Sequence, residues 1–292
     1  MILEVEGVCF KYPSLDVLDS VSFDVRGGEC VAILGMNGVG KSTLLKCINN
    51  ILSKTSGTVC IGGEETEGMS PIELAKSVCY VPQYLVYSDV SVFDAVLLGR
   101  KPYIVWDATR ADYEKVEIAL RRLSMEGYAL RNVRQLSGGE AQKVSIARAI
   151  VQETEVMLFD EPTSNLDLKN QMEVIDIIRR EAKEREVAAI VTMHDINLAL
   201  RFADKFIMMK DGKIYGVGDR SYLTPDKIKD VYGIDVHMGE INGEIVIIPA
   251  RSESEIGWRE GIGTQPHAST AFSDWNMGGN VTHSLTQGRQ IP

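Results

Sequence analysis

Eight residues, Gly35-Met-Asn-Gly-Val-Gly-Lys-Ser42, place three glycines ahead of a lysine and a hydroxyl. Gly35, Gly38 and Gly40 let backbone N–H groups close around phosphate oxygens, Lys41 neutralises β- and γ-phosphate groups, and Ser42 offers its hydroxyl to Mg²⁺. A second constellation is Val156-Met-Leu-Phe-Asp160-Glu161, an apolar run ending in adjacent carboxylates. Taken alone, such a run reads more readily as a strand leading into a solvated turn. Beside a phosphate loop, Asp160 is expected to hold Mg²⁺, directly or through water, and Glu161 to orient or deprotonate an attacking water. The third is Leu136-Ser-Gly-Gly-Glu140, directly before a helical pattern. There Ser137 stands where helix N-terminal donors favour an anion, and a plain helix cap is the alternative.

These groups need elements to aim them. Cys30 to Leu34 is a short continuous apolar run and predicts a buried parallel strand feeding the loop, with Lys41 to Leu52 as the helix that follows. Leu3 to Phe10 and Val17 to Val25 alternate as exposed strands do, and Gly57 to Gly63 returns to strand, so the beginning reads as mixed sheet around the strand, loop and helix. From Ser91 to about Ile150 the pattern turns helical. Val116, Ala119, Leu120 and Leu123 share one face, Glu117 and Arg121 stand at i,i+4 on the other, and Ala141 to Val151 forms a helix after the Ser-Gly-Gly motif. Buried strands Val156 to Phe159 and Val187 to Thr192 flank a helix over Asn170 to Arg185, the alternation of parallel α/β structure. Asp211-Gly212 and Asn242-Gly243 predict two hairpins.

The formal charge of −10 over 292 residues argues against nucleic acid or an anionic lipid surface as a main partner. No apolar run reaches the roughly 18 residues of a membrane span. The acidic N-terminal residues do not resemble a signal peptide, so cytosolic residence is expected. The five cysteines all lie in the first 80 residues without a Cys-x-x-Cys pair, as reduced packing residues would. After about Arg251 the composition shifts to Ser, Thr, Gly, Asn and Gln without a sustained period, which predicts a disordered tail over 251–292.

From Ile2 to about Pro249 the chain resembles the nucleotide-binding subunit of an ATP-binding cassette transporter. The phosphate loop, Gln83 after Tyr80-Val81, Leu136 to Glu140, Asp160-Glu161, Ser164-Asn-Leu-Asp167 and His194 occur in the family's order, preceded by Tyr12. The fold that the resemblance implies is α/β: a P-loop NTPase, RecA-like core with an antiparallel β subdomain and an inserted α-helical subdomain at about 88–150, within an ATPase domain of 1–250. It implies ATP and Mg²⁺ as ligands. Tyr12 would stack on adenine, although an isolated aromatic more often packs. Gly35, Asn37, Gly38, Gly40, Lys41, Ser42 and Thr43 would cradle the phosphates, and Ser42, Gln83 and Asp160 would surround the metal. Glu161, His194 and Gln83 would serve hydrolysis, with His194 sensing the γ-phosphate. Ser137, Gly138 and Gly139 would contact ATP held by a second subunit. Asp167 would face that subunit, with an N-cap for the next helix as an equally good reading compatible with the first. Met36 and Val39 stand where the family often has Pro and Ala.

Three stretches, Ser91 to Tyr103, Pro162 to Gln171 and His194 to Ala203, are similar to importers of iron siderophores, haem and vitamin B12. The resemblance then implies a homodimer docked on transmembrane permease subunits at the cytoplasmic face of the membrane, served indirectly by a substrate-binding protein and without nucleic acid. The runner-up is a soluble cassette ATPase, such as an iron–sulfur assembly component. The cargo is not legible here, because permease and binding protein select it.

Overall fold

Residues of β1 (Leu3–Tyr12) and β2 (Leu15–Val25) alternate between covered and exposed, whereas β3 (Cys30–Leu34) is buried throughout. That contrast assigns them to different sheets, because a strand covered on both faces belongs at a sheet centre. The computed structural model describes residues 1–83 and 89–250. After β3 come α1 (Lys41–Ile48), β4 (Ser56–Ile61), β5 (Glu64–Glu65), α2 (Pro71–Ser77) and β6 (Val78–Val81). The helical segment holds α3 (Val92–Leu97), α4 (Arg110–Arg122) and α5 (Gly138–Val151). The chain continues through β7 (Val156–Asp160), α6 (Leu168–Arg185), β8 (Ala188–Thr192), α7 (Ile196–Phe202), β9 (Lys205–Lys210), β10 (Lys213–Gly218), α8 (Pro225–Tyr232), β11 (Val236–Ile241) and β12 (Glu244–Pro249).

The six-stranded sheet runs β10-β9-β3-β8-β7-β6, parallel except for the edge pair β9–β10. A separate antiparallel sheet runs β2-β1-β4-β5. The strands read as mixed sheet at the start of the chain divide between two sheets, one of them the antiparallel sheet that the resemblance implied. The two sheets are packed together by one hydrophobic cluster in which Val31 and Ile33 of β3 meet Leu3, Val5 and Val21 of the antiparallel sheet and Leu44, Leu45 and Ile48 of α1. The opposite face of β3, Cys30, Ala32 and Leu34, belongs to a second cluster with α3 to α8. This is the P-loop NTPase fold, a parallel sheet covered on both faces.

Local chemistry sets the helix ends. The helix after the loop is shorter than Lys41 to Leu52: Asn50 turns left-handed at φ 49°, and the Ile51 and Leu52 N–H groups both fold back onto the Lys46 carbonyl. The helix with the Ser-Gly-Gly motif starts earlier than Ala141, because Ser137 and Glu140 form a capping box that opens α5 at Gly138. On α4, Val116, Ala119 and Leu120 are buried with Leu123 at the helix end, as the periodicity requires. The i,i+4 ion pair is Arg110–Glu114 at 2.8 Å rather than one between Glu117 and Arg121. The insert is clamped internally by buried Arg100, which donates to Asp112 at 2.9 Å and to the Val151 carbonyl at 2.7 Å. Both expected hairpins form. The five cysteines are free thiols, and burial pushes Cys30 up to about 12 and Cys47 to about 11. The expected tail over 251–292 lies outside the described residues.

Candidate nucleotide site

Parallel register brings the site together. Phe159 on β7 pairs with Val81 on β6 and Val191 on β8, and Ile33 on β3 pairs with Thr192, so the loops leaving β3, β6, β7 and β8 open at one edge of the sheet. In open α/β sheets that carboxyl edge is where ligands bind. Those four loops carry Gly35 to Ser42, Gln83, Glu161 and His194.

The loop leaves β3 through Gly35 at φ 152°, a conformation for glycine, and a Cβ there would lie 2.5 Å from the Met209 carbonyl. Gly38 and Gly40 are also at positive φ, and Gly40 caps α1. Lys41 is 5% exposed, and its Nζ donates to the Gly35 carbonyl at 2.7 Å and the Met36 carbonyl at 3.0 Å. It has no carboxylate within ion-pair distance among the described residues. A buried ammonium held only by neutral carbonyls is charge awaiting an anion, which fits a polyphosphate. Burial lowers its pKa, and the Glu161 and Asp160 carboxylates oppose that shift.

Tyr12, Asn37, Gly38, Gly40, Lys41, Ser42, Thr43, Gln83, Glu161 and His194 all line one cavity of about 410 Å³, together with Leu15 and Val17. Tyr12 is 44% exposed at its rim and meets Phe10 edge-on at 4.9 Å between ring centres. Asp160 lies beneath the cavity, buried, accepting from Ser42 Oγ at 2.8 Å, Thr192 Oγ1 at 2.9 Å and Tyr80 OH at 3.1 Å. A hydroxyl and a carboxylate in contact supply the hard oxygens that Mg²⁺ takes. Among the described residues no group of three His, Cys, Asp or Glu side chains is placed to hold a metal ion. Glu161 sits at φ 48°, turned out of β7 with its N–H on Thr192 Oγ1 at 2.9 Å. Its two carboxylate oxygens are taken by Gln83 Nε2, at 2.6 Å, and by His194 Nε2. Gln83, Glu161 and His194 therefore form one chain of contacts along the cavity wall.

Ser137, Gly138, Gly139 and Asp167 do not reach this cavity. Ser137 Oγ donates to Glu140 at 2.8 Å and accepts from the Glu140 N–H, while Asp167 caps α6 through the Asn170 N–H at 2.8 Å. Both cap readings hold. The two motifs touch each other, because a Cβ on Gly139 would lie 2.7 Å from the Asn170 side chain, which also donates to Asp167 at 3.0 Å.

Sequence reasoning passed over Thr192, Tyr80 and Tyr232. Thr192 and Tyr80 were detectable in principle, since register puts both on the face of Asp160. Tyr232 had no local signal: its hydroxyl accepts from the Gly35 N–H at 3.0 Å across 197 residues. Burial pushes it up to about 12, so it stays a phenol.

Fold and site together define a P-loop nucleoside triphosphatase with a second motif outside the lining of its own cavity. The chain belongs to the ABC transporter family, whose model matches residues 18–164. It is 53% identical over 249 residues, 85% of this chain and 98% of the relative, to an uncharacterised ABC transporter ATP-binding protein of Methanocaldococcus jannaschii. It is 34% identical to a cobalamin import ATP-binding protein of Halobacterium salinarum, across 85% of this chain and 64% of that one. Among solved structures, a metal-chelate type ABC transporter in an inward-facing conformation matches with TM-score 0.75 and 29% identity, over 86% of this chain and 97% of that one. A dimeric ATP-binding cassette in a post-hydrolysis state with ADP and Pi matches with TM-score 0.66 and 28% identity, over 74% and 98%. The chain is an ABC-type ATPase that uses ATP.

Proposed function

We propose that this chain powers an importer of metal chelates or corrinoids, such as iron siderophores, haem or cobalamin, as a homodimer docked on permease subunits at the cytoplasmic membrane face. The observation that carries the reading is the split geometry: Lys41, Gln83, Glu161 and His194 line one cavity while Ser137 to Gly139 stand outside it. Names of relatives in cobalamin and metal-chelate transport support the cargo class. No described helix is long and apolar enough to cross a membrane.

Lys41 neutralises the β- and γ-phosphates, and the loop amides from Gly38 to Thr43 hold them. Ser42 and Asp160, with Gln83 lining the same cavity, would hold Mg²⁺, which would supply charge neutralisation when bound. Glu161 takes a proton from the attacking water, and its contact with His194 lets the imidazole orient that carboxylate and meet the γ-phosphate. Each chain's Ser137, at the N-terminus of α5, meets the γ-phosphate held by the other copy. Gln83, at the entry to the helical segment, passes the state of the site to the permease. Purification of the tagged chain from its own membranes tests the partner: a polytopic membrane subunit in the complex supports the proposal. An active ATPase with no membrane partner would favour a soluble cassette ATPase instead.

A further inference from the structure

The matched family segment stops at residue 164, yet the last described elements reach back to the site. The phosphate loop has open space on two sides. Beyond the nucleotide cavity, a second cavity of about 480 Å³ is lined by Met36 to Val39 and, opposite, by Met209 to Gly212 and Val231 of α8. Val39 packs against the core and Gly40 lies against Val17 and Leu18, while the first residues of the loop also make hydrogen bonds. Two of them, from Lys41 Nζ to the Gly35 and Met36 carbonyls, compete with the phosphates that the same ammonium serves. The bond from the Gly35 N–H to Tyr232 OH, at the last residue of α8, does not.

The same terminal segment grips the other side of the site. Asn197, three residues after His194 and in the first turn of α7, donates to the Ile247 carbonyl at 3.0 Å and accepts from the Ile247 N–H at 2.8 Å. This paired clasp fixes α7 to β12, and Asp195 caps the same turn through Asn197 and Leu198.

We propose that Pro225 to Pro249 is a brace of the ATP site, with Tyr232 a positioning residue for the phosphate loop and Asn197 a positioning residue for His194. The brace rests on the ATPase reading above. It makes two separable demands. Tyr232 pre-orders the empty loop, so its loss is felt in nucleotide binding; once phosphates grip the loop, turnover is spared. Asn197 keeps His194 beside Glu161, so its loss is felt in turnover and not in affinity.

The test uses the full chain as wild type, Tyr232→Phe, Asn197→Ala and the control Tyr215→Phe. The control removes a 2.6 Å bond from β10 to Asp230 on the exposed side of α8, away from the loop. ATP dissociation constants, kcat at saturating ATP and thermal midpoints are measured for each. Tyr232→Phe should raise Kd about ten-fold with kcat unchanged within about two-fold, the cost of leaving one buried N–H unpaired. Asn197→Ala should lower kcat about ten-fold with Kd unchanged within about two-fold. Tyr215→Phe should change neither. If both test variants match the control, or if Kd and kcat worsen together in step with lost thermal stability, the brace is overturned. Wild-type protein that neither binds nor hydrolyses ATP would instead overturn the ATPase reading beneath it.

Discussion

Gly138 and Gly139 separate an interface role from a packing role by one methyl group each. A Cβ on Gly138 would meet nothing within 4 Å, whereas on Gly139 it would sit 2.7 to 2.9 Å from the three outer atoms of the Asn170 amide. Gly139→Ala must push that amide away by about 0.5–1 Å to restore ordinary contact. The displacement breaks the exposed 3.0 Å bond to Asp167, and because the atoms that give way end a flexible side chain, the cost relative to Gly138→Ala is about 0.5–1 kcal/mol. At roughly 2–4 °C per kcal/mol, a melting temperature below that of Gly138→Ala is readily seen. Gly138→Ala itself should not fall below wild type, because alanine is the better helix former by up to about 1 kcal/mol. Neither glycine lines the nucleotide cavity, so both variants should bind ATP as wild type does. If α5 presents its N-terminus to the γ-phosphate on a second chain, the Gly138 methyl intrudes there, and turnover should fall on the order of a hundred-fold. Calorimetry, nucleotide binding and steady-state ATPase assays resolve the three quantities. Gly138→Ala with full turnover would place that glycine in solvent in the working assembly and refute the two-chain site.

Glu161→Gln should keep ATP binding and lose turnover by about 10²–10⁴-fold, since the amide cannot accept the water's proton; single-turnover phosphate release measures it. Arg100→Ala removes one partner of the Asp112 carboxylate, 5% exposed, which keeps its bonds from Thr109, and should cost about 1–3 kcal/mol in urea unfolding. Hydrogen bonds from Thr109, then the Arg100 guanidinium, hold Asp112 down at about 2, below its ordinary 3.8. A carboxylate lowered on folding stabilises fully above that ordinary value and loses its contribution as pH falls through about 2. The acid-unfolding curve of Asp112→Asn should lack that part of the slope.

The core strands were legible because β3, β7 and β8 are covered on both faces, which requires unbroken apolar runs. The phosphate loop was legible because phosphate chemistry restricts which side chains can stand there, Asp160-Glu161 only beside that loop, and His194 only through the family order. Helix ends were less so: Asn50 stops α1 through a left-handed turn, and the Ser137–Glu140 box starts α5 before its apolar pattern begins. The split between antiparallel and parallel sheets was blurred because alternation marks a strand without naming its neighbour. Tyr232 and Asn197 were invisible because their partners lie 197 and 50 residues away, and nothing local marks a tyrosine or asparagine that closes such a contact.

Co-expression of two inactive variants tests the central claim that two chains complete each site. Lys41→Ala removes the phosphate-loop charge, and Ser137→Arg blocks the surface offered to the other copy, so neither homodimer holds an intact site. A mixed dimer of a two-fold assembly carries both lesions in one site and none in the other. The account predicts that the mixture regains ATPase activity, up to roughly a quarter of wild type for random pairing. Activity no greater than that of the two variants assayed separately would contradict it.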